Sequence, residues 1–226
     1  MIKDPLNLFG IHCNLLLPVD IEKRNFSMCI VFYIAFSYME SASFVFFKGR
    51  PMATGFGDIV QLGYVVKDMD AAIEHWVRVL GVGPFFVTRN VPFAEVHYRG
   101  EPCDAQICAA LASHRGIQIE IIQQTGGGVS AYSDFISEKG GGLHHVCALS
   151  DDLAADLASW QERDVSVLMG GSTAAGIPFA YLDTDPGNHG RVLELVQPSP
   201  GLLQFFKKIE SAAENWDGAT ARIALD

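Results

Sequence analysis

One pattern is written twice in this chain, and the repetition constrains its fold more than any other feature. Gln61-Leu-Gly-Tyr-Val-Val-Lys-Asp-Met-Asp-Ala-Ala lies in register with His145-Val-Cys-Ala-Leu-Ser-Asp-Asp-Leu-Ala-Ala-Asp, an apolar strand followed by an aspartate and a helix start. The alignment places Asp68 on Asp152, Ala71 on Ala155 and Trp76 on Trp160. Each aspartate is an expected N-cap, and each tryptophan an expected core-facing helix residue. In the first copy Met69, Ala72, Ile73, Trp76, Val77 and Leu80 follow the spacing of a helix that buries one face, with Gly81 ending it. A second matched pair closes each copy, Gln118-Ile-Glu120-Ile-Ile against Val192-Leu-Glu194-Leu-Val. Each is a strand with one glutamate among aliphatic neighbours.

Room remains in each copy for two more strands, over 84–89 and 104–112 in the first and over 165–169 and 179–183 in the second. The unit is therefore β-α-β-β-β, and the expected class is α+β with modules over 57–124 and 142–198. The segment 125–142 joins them, two glycine triplets around a short helical stretch. Neither triplet fits a phosphate-cradling loop, so the segment is expected to be a flexible linker. In the last turn, Asp185-Pro-Gly-Asn-His-Gly190, His189 is expected to be a solvated turn residue. Beyond it, Leu202, Leu203, Phe205, Phe206 and Ile209 predict an amphipathic helix in a C-terminal tail over 199–226, docking on the core or on a second subunit.

Residues 25–47 are almost wholly apolar, with Glu40 inside the only window long enough to span a membrane. A signal peptide is the second reading of this stretch. A leader over 1–54 outside the folded unit, with the organised pattern starting near Met52, is the reading preferred here. Composition narrows the function. With 26 acidic against 16 basic residues and a formal charge of −10, the chain repels a nucleic-acid backbone and points to a small-molecule partner. Five cysteines without a Cys-x-x-Cys pair argue against a disulfide framework and a thiolate zinc site, and fit a reducing cytoplasm.

The repeat leaves four ligand-capable residues at matched strand positions: Gln61 and His145 on the first strands, Glu120 and Glu194 on the last. A lone strand glutamate usually faces solvent, and a lone strand histidine is usually hydrogen-bonded core. Four at repeat-equivalent positions are expected to converge about a pseudo-two-fold axis. Two carboxylates, an imidazole and a carboxamide oxygen suit Zn, Ni, Co, Mn or Fe as a divalent ion. Adjacent strand residues point to opposite faces, so His144 and His145 are not expected to reach the same centre. His145 takes the ligand position and His144 the packing one.

These residues resemble the vicinal oxygen chelate (VOC) superfamily of glyoxalases, epimerases, extradiol dioxygenases and bleomycin-resistance proteins. The resemblance covers roughly 57–198. It is closest to methylmalonyl-CoA epimerase-like members, through Tyr64-Val-Val-Lys-Asp-Met-Asp-Ala-Ala and Gly141-Gly-Leu-His-His-Val146. It implies two modules whose sheet curves around a central metal, with the second histidine of the pair as ligand and Gln61, Glu120 and Glu194 completing the set. It implies a cytoplasmic, metal-dependent isomerase or lyase that enolises a carbon beside a thioester or ketone carbonyl. It further implies Glu194 as the base with Glu120 opposite it, a small-molecule substrate such as an acyl thioester, and a homodimer. Gln, Glu, His, Glu in that order is similar to the ligand set of some glyoxalase I enzymes, yet Val65 stands where those place a glutathione-binding arginine. Epimerases carry a further acid/base glutamate where this chain offers only Asp104 and Gln106. The alternatives are a metal-free binding protein of the bleomycin-resistance type and an extradiol dioxygenase-like enzyme, whose iron site wants two histidines and one carboxylate.

Overall fold

A computed structural model describes residues 56–186 and 192–225. The apolar leader and His189 lie outside the described residues. Among the described residues, no helix is long and apolar enough to cross a membrane.

The first module runs β1 (Ile59–Val65), α1 (Met69–Arg78), β2 (Phe85–Thr88), then, after an excursion, β5 (Gln106–His114) and β6 (Ile117–Gly126). The second runs β7 (Gly142–Leu149), α3 (Leu153–Gln161), β8 (Ser166–Thr173), β9 (Pro178–Asp183) and β10 (Val192–Val196). Between them lies α2 (Ala131–Lys139). The excursion is a hairpin of β3 (Phe93–Tyr98) and β4 (Glu101–Pro102), and the chain ends in α4 (Pro200–Glu214) and β11 (Arg222–Ala224). The described strands form one sheet in the order β11-β2-β5-β6-β1-β7-β10-β9-β8-β3-β4. Both β-α-β-β-β modules are therefore present, joined edge to edge where β1 runs antiparallel to β7.

The two helices start by the same device, for a reason visible in the repeat. Asp68 accepts from the Ala71 N–H and Asp152 from the Ala155 N–H. The first helical N–H of each is taken by a glutamine from just beyond its module's last glutamate, Met69 by Gln123 and Leu153 by Gln197. Two of the four donors left orphaned at each helix start are thus satisfied twice over in the same way. Helix α1 buries Met69 and Ile73 against the outer face of β5 and β6. It closes two residues earlier than the spacing predicts, with Val79 as its C-cap, so Leu80 is exposed.

Two parts of the chain depart from the repeat. The β3 strand was not expected, because it belongs to the first module in sequence but to the second in space, pairing with β8. Arg99 and Gly100 both have positive φ at its tip, as a tight hairpin turn requires. The stretch before it ties both modules together, with the Val91 N–H bonded to Ile107 and the Ala174 N–H to Pro92. The joining segment is likewise more than a flexible linker. Ser130 caps α2 in a capping box with Ser133, and Tyr132 and Phe135 are buried on the inner face of the sheet. Helix α4 docks on the first module of its own chain, with Ile209 fully buried and Phe205 edge-on to Phe86 at 5.9 Å.

Candidate metal centre

Strand pairing puts the four matched residues on adjacent strands near the joint between modules. On β1, Gly63 lies opposite His145, and Gln61 opposite Cys147, so the pseudo-two-fold axis passes through the Leu62–Val146 pair. Glu120 sits beside Gly63 on β6, and Glu194 beside Cys147 on β10. Outer-face residues of these strands pack under α1 and α3. The alternation thus sends Gln61, Glu120, His145 and Glu194 inward.

His145 is the centre of the group. Its ring is wholly buried, with Nε2 3.1 Å from Glu194 Oε2 and 3.4 Å from Glu120 Oε2. One ligand atom from each of the three residues lies within 4.8 Å of the others. Burial works against charge on His145, but Glu194 and Glu120 outweigh it and lift its pKa to about 9. Burial, and then the neighbouring Glu194, raise the Glu120 carboxyl above the usual range. Gln61 is buried in the same cavity, and its Nε2 donates to Gln118 Oε1 at 3.1 Å. The carboxamide oxygen is the atom such a residue gives to a metal.

The histidine pair does not follow simple strand alternation. The β1–β7 register skips at His144, so two residues of β7 face one of β1, a β-bulge that turns both rings inward. A matching skip falls at Val60, the repeat counterpart of His144. The two imidazoles meet Nδ1 to Nδ1 at 3.0 Å. His144 is packed among Tyr132, Phe135 and Tyr181. Burial, with the charge on His145 adding to it, holds the His144 pKa down to about 3. A neutral His144 therefore accepts the His145 Nδ1–H, which leaves His145 Nε2 aimed at the carboxylates. The expectation that the two rings face apart was wrong, because a bulge changes which residues share a face.

Gly63 makes room for this arrangement. A Cβ there would lie 1.9 Å from His145 Cε1 and 2.1 Å from Nε2. The repeat counterpart, Cys147, is buried, and burial pushes its thiol pKa up. A cavity of about 310 Å³ opens onto the carboxylates. Neither Asp104 nor Gln106 lines it, and Asp104 instead accepts from the Gly128 N–H. Sequence reasoning missed Tyr132 and Tyr181, whose hydroxyls are 3.0 Å apart and whose rings line the cavity. Burial keeps both phenols protonated. Tyr181 was legible as an inward residue of an alternating strand, whereas nothing local marks Tyr132.

Residues 60–181 match the family described as the glyoxalase/bleomycin resistance protein/dioxygenase superfamily. Among solved structures, a hypothetical protein, BH1468, from Bacillus halodurans C-125 is similar at 15% identity, covering 63% of this chain and 94% of that one, with a TM-score of 0.49. Methylmalonyl-CoA epimerase from Mycobacterium tuberculosis is similar at 19% identity, over 69% of this chain and 97% of that one, with a TM-score of 0.47. A Streptomyces coelicolor methylmalonyl-CoA epimerase in complex with 2-nitronate-propionyl-CoA gives 20% identity, 64% and 99% coverage, and a TM-score of 0.43. No curated protein matches the sequence closely enough to count as a relative.

Proposed function

Because the chain belongs to the glyoxalase/bleomycin resistance protein/dioxygenase superfamily, we propose that it is a metal-dependent isomerase or lyase that moves a proton on the carbon beside a thioester or ketone carbonyl. Gln61, Glu120, His145 and Glu194 would hold a divalent ion of the Zn, Ni, Co, Mn or Fe group. The observation that carries this reading is the cluster of Glu120, His145 and Glu194, whose ligand atoms lie within 4.8 Å of one another with both carboxylates facing the buried His145 Nε2. Two carboxylates held this close around one buried ring nitrogen repel each other, and a cation among these donors offsets that cost. The oxygen and nitrogen donor set, free of sulfur, fits such an ion.

A divalent ion here supplies Lewis acidity, lowering the cost of negative charge on a carbonyl oxygen as the neighbouring proton leaves. The protein does the rest. Glu194 takes that proton, and Glu120, its counterpart across the pseudo-axis, is placed to exchange one from the other face. His144 fixes the tautomer and tilt of His145 through the Nδ1 contact. The apolar wall keeps water from the reacting carbon and strengthens every charge interaction inside it.

Elemental analysis of the purified protein tests the centre: close to one ion per chain is expected, and His145→Ala should lose it. In deuterated water the loaded protein should place deuterium beside the carbonyl of a suitable thioester. Glu194→Gln should slow that exchange by about 100-fold or more while keeping most of its metal. A metal-free protein, or a Gln variant as fast as the parent, would leave a sequestering module as the better account.

A further inference from the structure

The cavity beside the carboxylates has an uneven chemistry. Its walls are mostly apolar, with Phe93, Ile107, Phe179, Phe205, Phe206 and Leu225 as its larger side chains. The ionisable carboxyl groups lining it are Glu120 and Glu194 themselves, and among the described residues no Lys or Arg lines it. Its volume of about 310 Å³ lies at the lower end of the range for small-molecule sites, roughly 300–1,000 Å³. The far wall is built by Leu202, Phe205 and Phe206 of α4 and by Leu225, just after β11, so the C-terminal segment shapes the pocket as well as capping the first module.

Charge balance decides what such a pocket accepts. Two glutamates cancel the two positive charges of a divalent ion, which leaves no net positive charge for any further anion. A carboxylate on the acyl group would be stripped of water, set against phenylalanine rings and left without a cation. A buried charge without a partner is excluded strongly, whereas a branched alkyl or aryl group gains from the same wall. We propose that the site takes substrates whose acyl portion is uncharged and apolar, such as 2-alkyl or 2-aryl acyl thioesters, and discriminates against dicarboxylic acyl groups. This deepens the enolisation reading and rests on the same site.

The step itself is neutral in atoms and electrons. The base takes the proton from the carbon beside the carbonyl, the C–H pair moves toward the carbonyl oxygen, and a proton returns to that carbon. No oxidant or co-reactant is needed.

Binding separates the substrate class from the chemistry if the ligands have no proton to lose. With metal-loaded protein, 2,2-dimethylbutanoyl and 2,2-dimethylmalonyl thioesters of the same thiol are compared by titration calorimetry. The neutral ligand should bind at least about 30-fold more tightly, and Thr88→Arg, which brings a cation to the cavity wall, should narrow that ratio to about threefold or less. Deuterium exchange is then followed on 2-methylbutanoyl and methylmalonyl thioesters. Selective binding of the neutral ligand without exchange of either substrate would uphold the ligand class and overturn the enolisation reading. Equal or tighter binding of the dicarboxylic ligand, or no binding of either, overturns the inference, and exchange would still report on the enolisation reading by itself.

Discussion

The two modules share a frame and differ in what they place at its centre. Helix caps, the glutamine that receives the first helical N–H, the skipped strand register and the inward glutamate all occur in both. Three positions break the symmetry. Gln61, Val60 and Gly63 in the first module have His145, His144 and Cys147 as their repeat counterparts in the second. The first module supplies space and one carboxylate, and the second supplies the imidazole, the residue that orients it and the other carboxylate. A duplicated scaffold fixes where donors point, and a few substitutions then decide which half carries the nitrogen.

Exchanging small side chains at the third of these positions should have the largest effect. Gly63→Ala drives a methyl into the His145 ring, displacing Nε2 from the carboxylates. Metal affinity should fall by at least about 1,000-fold, and the overpacked joint should lose about 1–3 kcal/mol of stability. Cys147→Ala, at the matching place in the second module, removes only a sulfur and should keep its metal. Titration of both apoproteins with Zn²⁺ makes the comparison. Similar affinities would mean that the ring does not stand over Gly63 when the ion is bound.

The histidine pair gives the second module two titrating groups that the first lacks. His145, its pKa raised to about 9, stabilises the metal-free fold fully below the unfolded value near 6.5 and loses that contribution as pH climbs to 9. His144, its pKa lowered to about 3, works in the opposite sense: its contribution is present above 6.5 and is lost as pH falls toward 3. The two histidines therefore place a stability maximum near pH 6.5 in the metal-free protein, with a fall of up to about 3 kcal/mol toward pH 9 and up to about 5 toward pH 3, since each pKa unit is worth about 1.4. Replacing both residues by their first-module counterparts, His145→Gln with His144→Val, should flatten the thermal-midpoint profile between pH 4 and 9. A profile unchanged by the double variant would place the pH dependence elsewhere.

A smaller loss is expected from His144 alone. His144→Ala removes the acceptor for the His145 Nδ1–H without touching a ligand atom, so Zn²⁺ affinity should drop by about 10–100-fold. Val60→Ala, the same edit in the first module, should leave affinity unchanged. Full affinity in His144→Ala would return that residue to a packing role.

How much of this was legible follows the same division. Periodicity and the repeat showed the eight strands of the two modules and α1, and comparison of the copies paired Asp68 with Asp152 and Glu120 with Glu194, because those features are local and recur. The bulge at His144 was hidden, since it depends on how many residues of β1 oppose β7. The β3 strand was missed as well, since it lies outside the repeat and its partner β8 is far along the chain. Tyr132 reaches the site only because Ser130 starts a helix at one place in a glycine-flanked segment. Each miss involves a contact between distant residues.

The smallest expected effect tests the shared frame itself. Asp68→Ala and Asp152→Ala each remove one side-chain acceptor from one helical N–H, at distances of 2.9 and 3.0 Å. Both sites are exposed, so water partly replaces the lost bond, and each variant should cost about 1 kcal/mol. The residual cap is also the same in both modules, since Gln123 and Gln197 still hold the first N–H. The two losses should therefore agree within about 0.5 kcal/mol and add in the double variant, because the helices lie over separate apolar clusters. Urea unfolding of the three variants measures this, and zinc affinity should stay at the parent value in all of them. If one cap proves worth several times the other, or if either variant loses metal, the modules are not energetic copies, and the scaffold's symmetry stops at the backbone.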